Sequence, residues 1–179
     1  DAPTGTAIIT VADDGQNSIV VTPGANYGIT PDDIAALEPA MRAADVVLLQ
    51  LEIPLESVAA ALRLARACGT LSILDAGPAT AVAPEFLALA DIVSPNETEA
   101  EALTGINVER AGAQAAAEHL RGLGVPHVVM KLGAQGSLYV AEDAQVAAPP
   151  FAVQAVDTTA AGDAFTAALA LRWGTAPAE

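Results

Sequence analysis

Residues 46–75, VVLLQLEIPLESVAAALRLARACGTLSILD, decide the fold. Val46 to Leu49 is a short, continuous apolar run, the pattern of a strand buried in a parallel sheet. Leu55 to Ala67 carries apolar residues at helical spacing, and Leu71 to Leu74 is a second apolar run. The alternation continues outward. Pro84 to Leu89 reads as a short helix, Ile92 to Ser94 as a strand, and Thr98 to Leu103 and Gly112 to Leu123 as helices. His127 to Lys131 reads as a strand, followed by Ser137 to Val140, Gln145 to Ala147 and a last helix from Ala164 to Trp173. Upstream, Thr30-Pro31-Asp32-Asp33 is an N-cap with proline at the first helical position, and predicts a helix to about Ala43. Thr6 to Val11 and Ser18 to Val21 are β-rich runs around the turn signal Asp13-Asp14-Gly15, and predict a hairpin. The whole predicts a single α/β domain with a mostly parallel central sheet. Polar residues gather where its strands end, at Gln50-Leu51-Glu52, Asp75, Asn96-Glu97-Thr98-Glu99 and Lys131. Ligands of open α/β sheets bind at those ends.

The chain has 179 residues and is 53% hydrophobic but 3% aromatic, so an aliphatic core of Leu, Val, Ile and Ala is expected. A formal net charge of −15 opposes nucleic acid and anionic membrane surfaces, and neither is an expected partner. Cys68 is the lone cysteine, which excludes an intrachain disulfide; it reads as a buried spectator thiol. No stretch approaches the roughly 20 apolar residues of a membrane-spanning helix. The first residues, Asp1-Ala2-Pro3-Thr4-Gly5, lack a signal-peptide pattern, so a cytoplasmic location is expected. With no Met at position 1, the chain reads as a piece of a longer protein.

The chemistry-bearing run is Asp157-Thr158-Thr159-Ala160-Ala161-Gly162-Asp163-Ala164-Phe165. It follows an extended segment, Phe151 to Val156, and opens into the last helix. Backbone N–H groups of Ala160, Ala161 and Gly162 at a helix start, aided by the helix dipole, suit an anion. Asp163 beside that anion offers a carboxylate to take a proton, which suits phosphoryl transfer to an alcohol. The same residue types also serve as a plain helix cap. With 7 Lys+Arg in the chain, the field for a polyanion must come largely from backbone dipoles and Mg²⁺. Asn96 and Glu99 have the spacing of a capping box. Lys131-Leu132-Gly133-Ala134-Gln135-Gly136 is a glycine-bearing turn after a strand; it is neither a P-loop nor a dinucleotide fingerprint. His119 and His127 have no partner at metal-ligand spacing and read as structural, as does Trp173.

Asp-Thr-x-x-Ala-Gly-Asp-x-Phe at 157–165 resembles the C-terminal signature of the ribokinase-like (PfkB) family of carbohydrate kinases. Ser94-Pro95-Asn96-Glu97-Thr98-Glu99-Ala100 resembles that family's Asn-x-x-Glu motif. The likeness runs from Thr4-Gly5-Thr6-Ala7 through Trp173. It implies a ribokinase-like three-layer fold, with residues 1 to about 26 a β-hairpin remnant of a sugar-covering lid and 27–179 an α/β nucleotide-binding core. It implies Asp163 as catalytic base and Ala160, Ala161 and Gly162 as anion hole. ATP is expected along Asn96, Lys131, Leu132, Gly133, Ala134, Gln135, Gly136, Gly162 and Asp163, and the sugar against Glu52 and Asp163. Mg²⁺ is expected near Glu99 through water, and an activating K⁺ at Asp157 and Thr159. Asp75-Ala76-Gly77-Pro78-Ala79 departs from the family's Asn-Pro-Ala-Pro-Ala and leaves Asp75 without an assigned role.

The reaction so implied is ATP-dependent phosphorylation of a sugar primary hydroxyl, first of D-ribose to ribose 5-phosphate. Fructose, a keto-deoxy sugar acid or a nucleoside are the alternative acceptors, and an inactive nucleotide-binding module is the alternative role. The family's first βαβ region, with its Gly-Gly sugar motif, and its C-terminal helices have no counterpart in these residues. That implies an inactive piece, weak stability or self-association in isolation, and a homodimer through the lid in the complete enzyme.

Overall fold

The computed structural model describes residues 2–11 and 17–175. β1 (Thr6–Val11) and β2 (Asn17–Thr22) pair antiparallel as a separate hairpin, with Ile9 opposite Ile19. The expected turn at Asp13-Asp14-Gly15 lies outside the described residues. After a 3-10 turn at Gly24–Gly28 come α1 (Pro31–Ala35) and α2 (Glu38–Ala43). The sequence predicts one helix here and two form. Pro39 has no N–H for the Ala35 carbonyl, so the helix breaks and restarts around it. Thr30 caps α1 as expected, accepting from the Asp33 N–H while Asp33 accepts from the Thr30 N–H.

The alternating region follows as β3 (Val46–Leu49), α3 (Leu55–Cys68), β4 (Leu71–Asp75), α4 (Pro84–Leu87) and β5 (Ile92–Ser94). Then come α5 (Glu97–Thr104), α6 (Val108–Ala111), α7 (Ala113–Gly122), β6 (His127–Lys131), β7 (Ser137–Val140), β8 (Gln145–Ala148) and α8 (Ala161–Thr175). One sheet runs in the order β3-β4-β5-β6-β7-β8. β3 to β6 are parallel, and β7 and β8 return antiparallel. α3 ends where Gly69 takes a left-handed φ of 74°, which glycine adopts without steric cost. α8 begins at Ala161, earlier than its apolar periodicity indicates, because the small residues before Ala164 are already helical. Residues 151–156 form no strand, and Phe151 and Val153 are 91% and 80% exposed. Cys68 is half-buried, not buried, because it sits on the last turn of α3.

Period-two alternation divides the strand residues between two faces. Leu74, Val93, Val128 and Met130 are fully buried on one face with Leu62 of α3 and Leu120 of α7. Ile73, Ile92 and Val129 lie on the other, where Phe165, Leu169, Ala170 and Trp173 of α8 pack over them. Each fully buried Leu, Ile or Val contributes about 1.5–3 kcal/mol. Trp173 also meets the rings of His127 and Tyr139 edge-on, centroids 5.1 and 5.6 Å away, and His127 Nδ1 lies 2.9 Å from the Tyr139 hydroxyl. His127 and Trp173 are therefore structural, as expected. β3 is one edge of the sheet, where Leu48 is 44% exposed.

Candidate active site

The face that carries α8 also sets the site. Counting in twos from Val46, Ile73 and Val129 puts Gln50, Asp75 and Lys131 on that face, just where the strands end. All three reach the first turns of α8. Gln50 Nε2 donates to Asp163 Oδ1 at 2.9 Å. Thr166 Oγ1 donates to Asp75 Oδ2 at 2.6 Å, and Lys131 Nζ donates to Asp75 Oδ1 at 2.5 Å. A Cβ added at Gly162 would stand 3.7 Å from Lys131 Nζ, so the ammonium lies against the backbone at the helix start.

These groups border an open cleft of about 620 Å³. Of the residues expected from sequence, Asp163, Gly162, Ala160, Ala161, Asn96, Glu99, Lys131, Leu132, Gly133, Gly136 and Glu52 line it. Ala134 and Gln135 sit on the exposed turn after Lys131 and do not. Asp157 and Thr159 also lie off the lining, although Thr158 between them is on it. Ile19 of the hairpin reaches the cleft as well.

The helix start opens on a left-handed residue. Ala160 has φ 59°, a left-handed conformation that costs a residue with a Cβ roughly 1–2 kcal/mol. Alternating backbone hands of this kind turn successive N–H groups to one side. The Ala161 N–H is partly spent, donating to the Thr158 carbonyl at 3.1 Å. Asp157 Oδ1 accepts from the Thr159 N–H at 2.8 Å, which holds its carboxyl below the usual value.

Opposite, the Asn96/Glu99 capping box forms as the spacing predicts. Asn96 Oδ1 accepts from the Glu99 N–H at 2.8 Å, and Glu99 Oε2 from the Asn96 N–H at 2.7 Å. Glu99 also faces the cleft, with Oε2 3.6 Å from Lys131 Nζ. The capping reading and the ligand reading therefore describe one side chain in one place. Burial pushes the Glu99 carboxyl above its ordinary value, against the opposing pull of the Asn96 N–H and the Lys131 charge.

Asp75 and Glu99 against Lys131 leave this cluster short of positive charge. The described residues hold no group of three or more His, Cys, Asp or Glu able to cage a metal. Each Glu99 oxygen accepts from Asn96 and keeps a lone pair for water. That donor set fits a hydrated Mg²⁺ carried in on phosphates, with Glu99 as its water-mediated anchor. The fit for K⁺ is poorer. Asp157 has one oxygen committed to Thr159, and a single carboxylate does not complete an alkali-cation site.

Sequence reading named Gln50 and Asp75 but gave neither a contact, and it did not single out Thr166. Strand parity was the available signal: Gln50 and Asp75 fall in step with the residues that pack against α8.

Known proteins share the sequence pattern and the fold of this chain. The family model for pfkB family carbohydrate kinases matches residues 1–175. The chain is 40% identical over 173 residues to the ribokinase of Staphylococcus aureus, covering 96% of this chain and 57% of that protein. The crystal structure of ribokinase from Thermotoga maritima superposes with a TM-score of 0.84 at 38% identity, covering 99% of this chain and 58% of that one. Arabidopsis thaliana ribokinase, complexed with ribose and ATP, gives a TM-score of 0.81 at 38% identity, covering 97% of this chain and 57% of that one. The chain thus spans little more than half the length of these relatives.

Proposed function

This chain belongs to the pfkB family of carbohydrate kinases, and we propose that it carries the phosphoryl-transfer half of an ATP-dependent sugar kinase whose acceptor is D-ribose. The observation that carries the reading is Asp163 at the start of α8, held by Gln50 beside the Gly162 backbone and the Lys131 ammonium, in the cleft that Asn96 and Glu99 close. The Gln50 hydrogen bond occupies Oδ1 of Asp163 and leaves Oδ2 for a substrate hydroxyl. Asp163 takes the proton from the primary hydroxyl of the sugar. The hydroxyl oxygen bonds to the γ-phosphorus as the bond to the bridging oxygen breaks, and ADP leaves with that electron pair. The Ala160 and Gly162 amides, with Ala161 shared, and the ammonium stabilise the charge that develops on the phosphoryl oxygens.

Glu99 would anchor Mg²⁺ through water, and the ion when bound offsets phosphate charge. Leu132, Gly133 and Gly136 border the path expected for ATP, and Glu52 the place expected for the sugar. Ile19 in the cleft supports the hairpin as part of a lid over the substrate. Positioning accounts for much of the rate in such a transfer.

The test is ADP release with ATP, Mg²⁺ and K⁺, first with D-ribose and then with other sugars and a nucleoside. Asp163→Asn should lower turnover by about 10²–10⁴, the scale of a general base. Near-normal turnover in that variant would sink the assignment. ATP binding without sugar-dependent ADP release would favour a nucleotide-binding module.

A further inference from the structure

A buried carboxylate that the proposed reaction does not use is Asp75, only 4% exposed at the carboxyl end of β4. Its two oxygens serve different partners on different elements. Oδ1 accepts from Lys131 at the end of β6, and Oδ2 accepts from Thr166 on α8, itself 4% exposed. β5 lies between β4 and β6, so the lysine reaches across a strand to make this pair. A buried ion pair is weak evidence of stabilisation, because desolvation offsets the attraction; an apolar pair of like volume packs as well. What this pair does is fix a place. Lys131 carries its charge on a flexible stem, and among the described residues its other carboxylate neighbour, Glu99, stands at 3.6 Å with both oxygens already accepting from Asn96. Thr166 is one turn beyond Asp163 on the helix that begins with Gly162.

We propose that Asp75 is a positioning residue for phosphoryl transfer: it sets the Lys131 ammonium beside the Gly162 backbone and, through Thr166, ties the same helix start to the sheet. Cation and amides then approach a phosphate in one rigid frame. Without Asp75 the ammonium loses its nearer carboxylate and relaxes toward Glu99. This rests on the kinase reading above.

The test compares Asp75→Asn, Lys131→Met, their double variant and Thr166→Val in the complete gene product that carries these residues, with Asp163→Asn as control. Asp75→Asn should lower kcat by about 10–10²-fold, the scale of a small misplacement of a reacting group, with KM for the sugar unchanged. The double variant should lose less than the product of the two single losses, since Lys131 is one of the two groups that Asp75 positions. Thr166→Val, isosteric and lacking only the donor to Asp75, should slow turnover in the same direction. An unchanged kcat in Asp75→Asn, or losses that multiply in the double variant, would overturn the inference. Should Asp75→Asn fail to fold, unchanged turnover in Thr166→Val would overturn it equally. A wild type with no sugar-dependent ADP release removes the kinase reading and this inference with it. A wild type silenced by Asp163→Asn but indifferent to Asp75→Asn removes this inference alone.

Discussion

Gly162→Ala separates what the helix start does for the fold from what it does for chemistry. Gly162 lies in the first turn of α8 and is not among the glycines with positive φ, so an alanine there meets no backbone penalty. The added Cβ has Lys131 Nζ as its nearest outside neighbour, at 3.7 Å, an ordinary contact. Alanine is favoured over glycine within a helix by up to about 1 kcal/mol. For a chain of this size 1 kcal/mol raises Tm by roughly 2–4 °C, and a first-turn position should give less. The chemical effect has the opposite sign. On the proposed reading, the methyl beside the ammonium narrows the space where a phosphoryl oxygen would meet it. Losing one such donor costs about 10²–10³ in turnover, or about 2.7–4 kcal/mol. Thermal unfolding and ADP release, measured on the same preparation, should therefore move apart: a Tm equal to or above wild type, with turnover strongly reduced. Unchanged turnover would refute the placement of the phosphoryl group at Gly162. A fall of several degrees in Tm would refute the packing argument.

Two further outcomes follow from the Asn96/Glu99 pair. Asn96→Ala removes the cap of α5 and both Asn96 side-chain bonds to Glu99, and should cost about 0.5–2 kcal/mol, read as a lower Tm; an unchanged Tm would mean that the box adds nothing. The second is a pH dependence. Because burial raises the Glu99 carboxyl above 4.5, the folded chain keeps that proton where the unfolded chain has lost it. The stability this contributes is full below the unfolded value and is lost as pH rises through the folded one. Glu99→Gln cannot make that loss, so its Tm relative to wild type should climb as pH rises above 4.5. Asp33 and Asp157, whose values are lowered, act in the opposite sense but are common to both proteins. A difference independent of pH would contradict the burial argument.

Much of the fold was legible because the central strands are short, continuous apolar runs, the pattern of a parallel sheet covered by helices. Val46 to Leu49, Ile92 to Ser94 and His127 to Lys131 kept the boundaries the pattern gave them. Helix limits were less legible where local chemistry competes with periodicity. Pro39 splits one expected helix into α1 and α2, and small residues extend α8 back to Ala161. The segment before α8 reads as extended, and there Phe151, Val153 and Val156 are exposed outside the sheet. At the site, spacing found what lies close in sequence: the run at 157–165 and the pair Asn96 and Glu99. It could not find Gln50 with Asp163, or Asp75 with Lys131 and Thr166. Those contacts join residues far apart in the chain, and they exist because parallel strands end together beneath one helix.

The same arrangement accounts for how so acidic a chain faces a polyanion. The net charge of −15 opposes the proposed nucleotide at a distance, but screening at physiological salt limits that field to about 8 Å. Inside the cleft the balance is local. Lys131 is held between Asp75 and Glu99, so the side chains by themselves present no excess of positive charge. On the proposed reading, the attraction beyond that of Mg²⁺ comes from groups without net charge, the first-turn amides of α8 and the dipole behind them. Such groups act over a few ångströms and only in a fixed orientation. A site of this kind depends on geometry more than on field strength, and that is why its helix start is tied to three strand ends: to Gln50 through Asp163, to Asp75 through Thr166, and to Lys131 across Gly162.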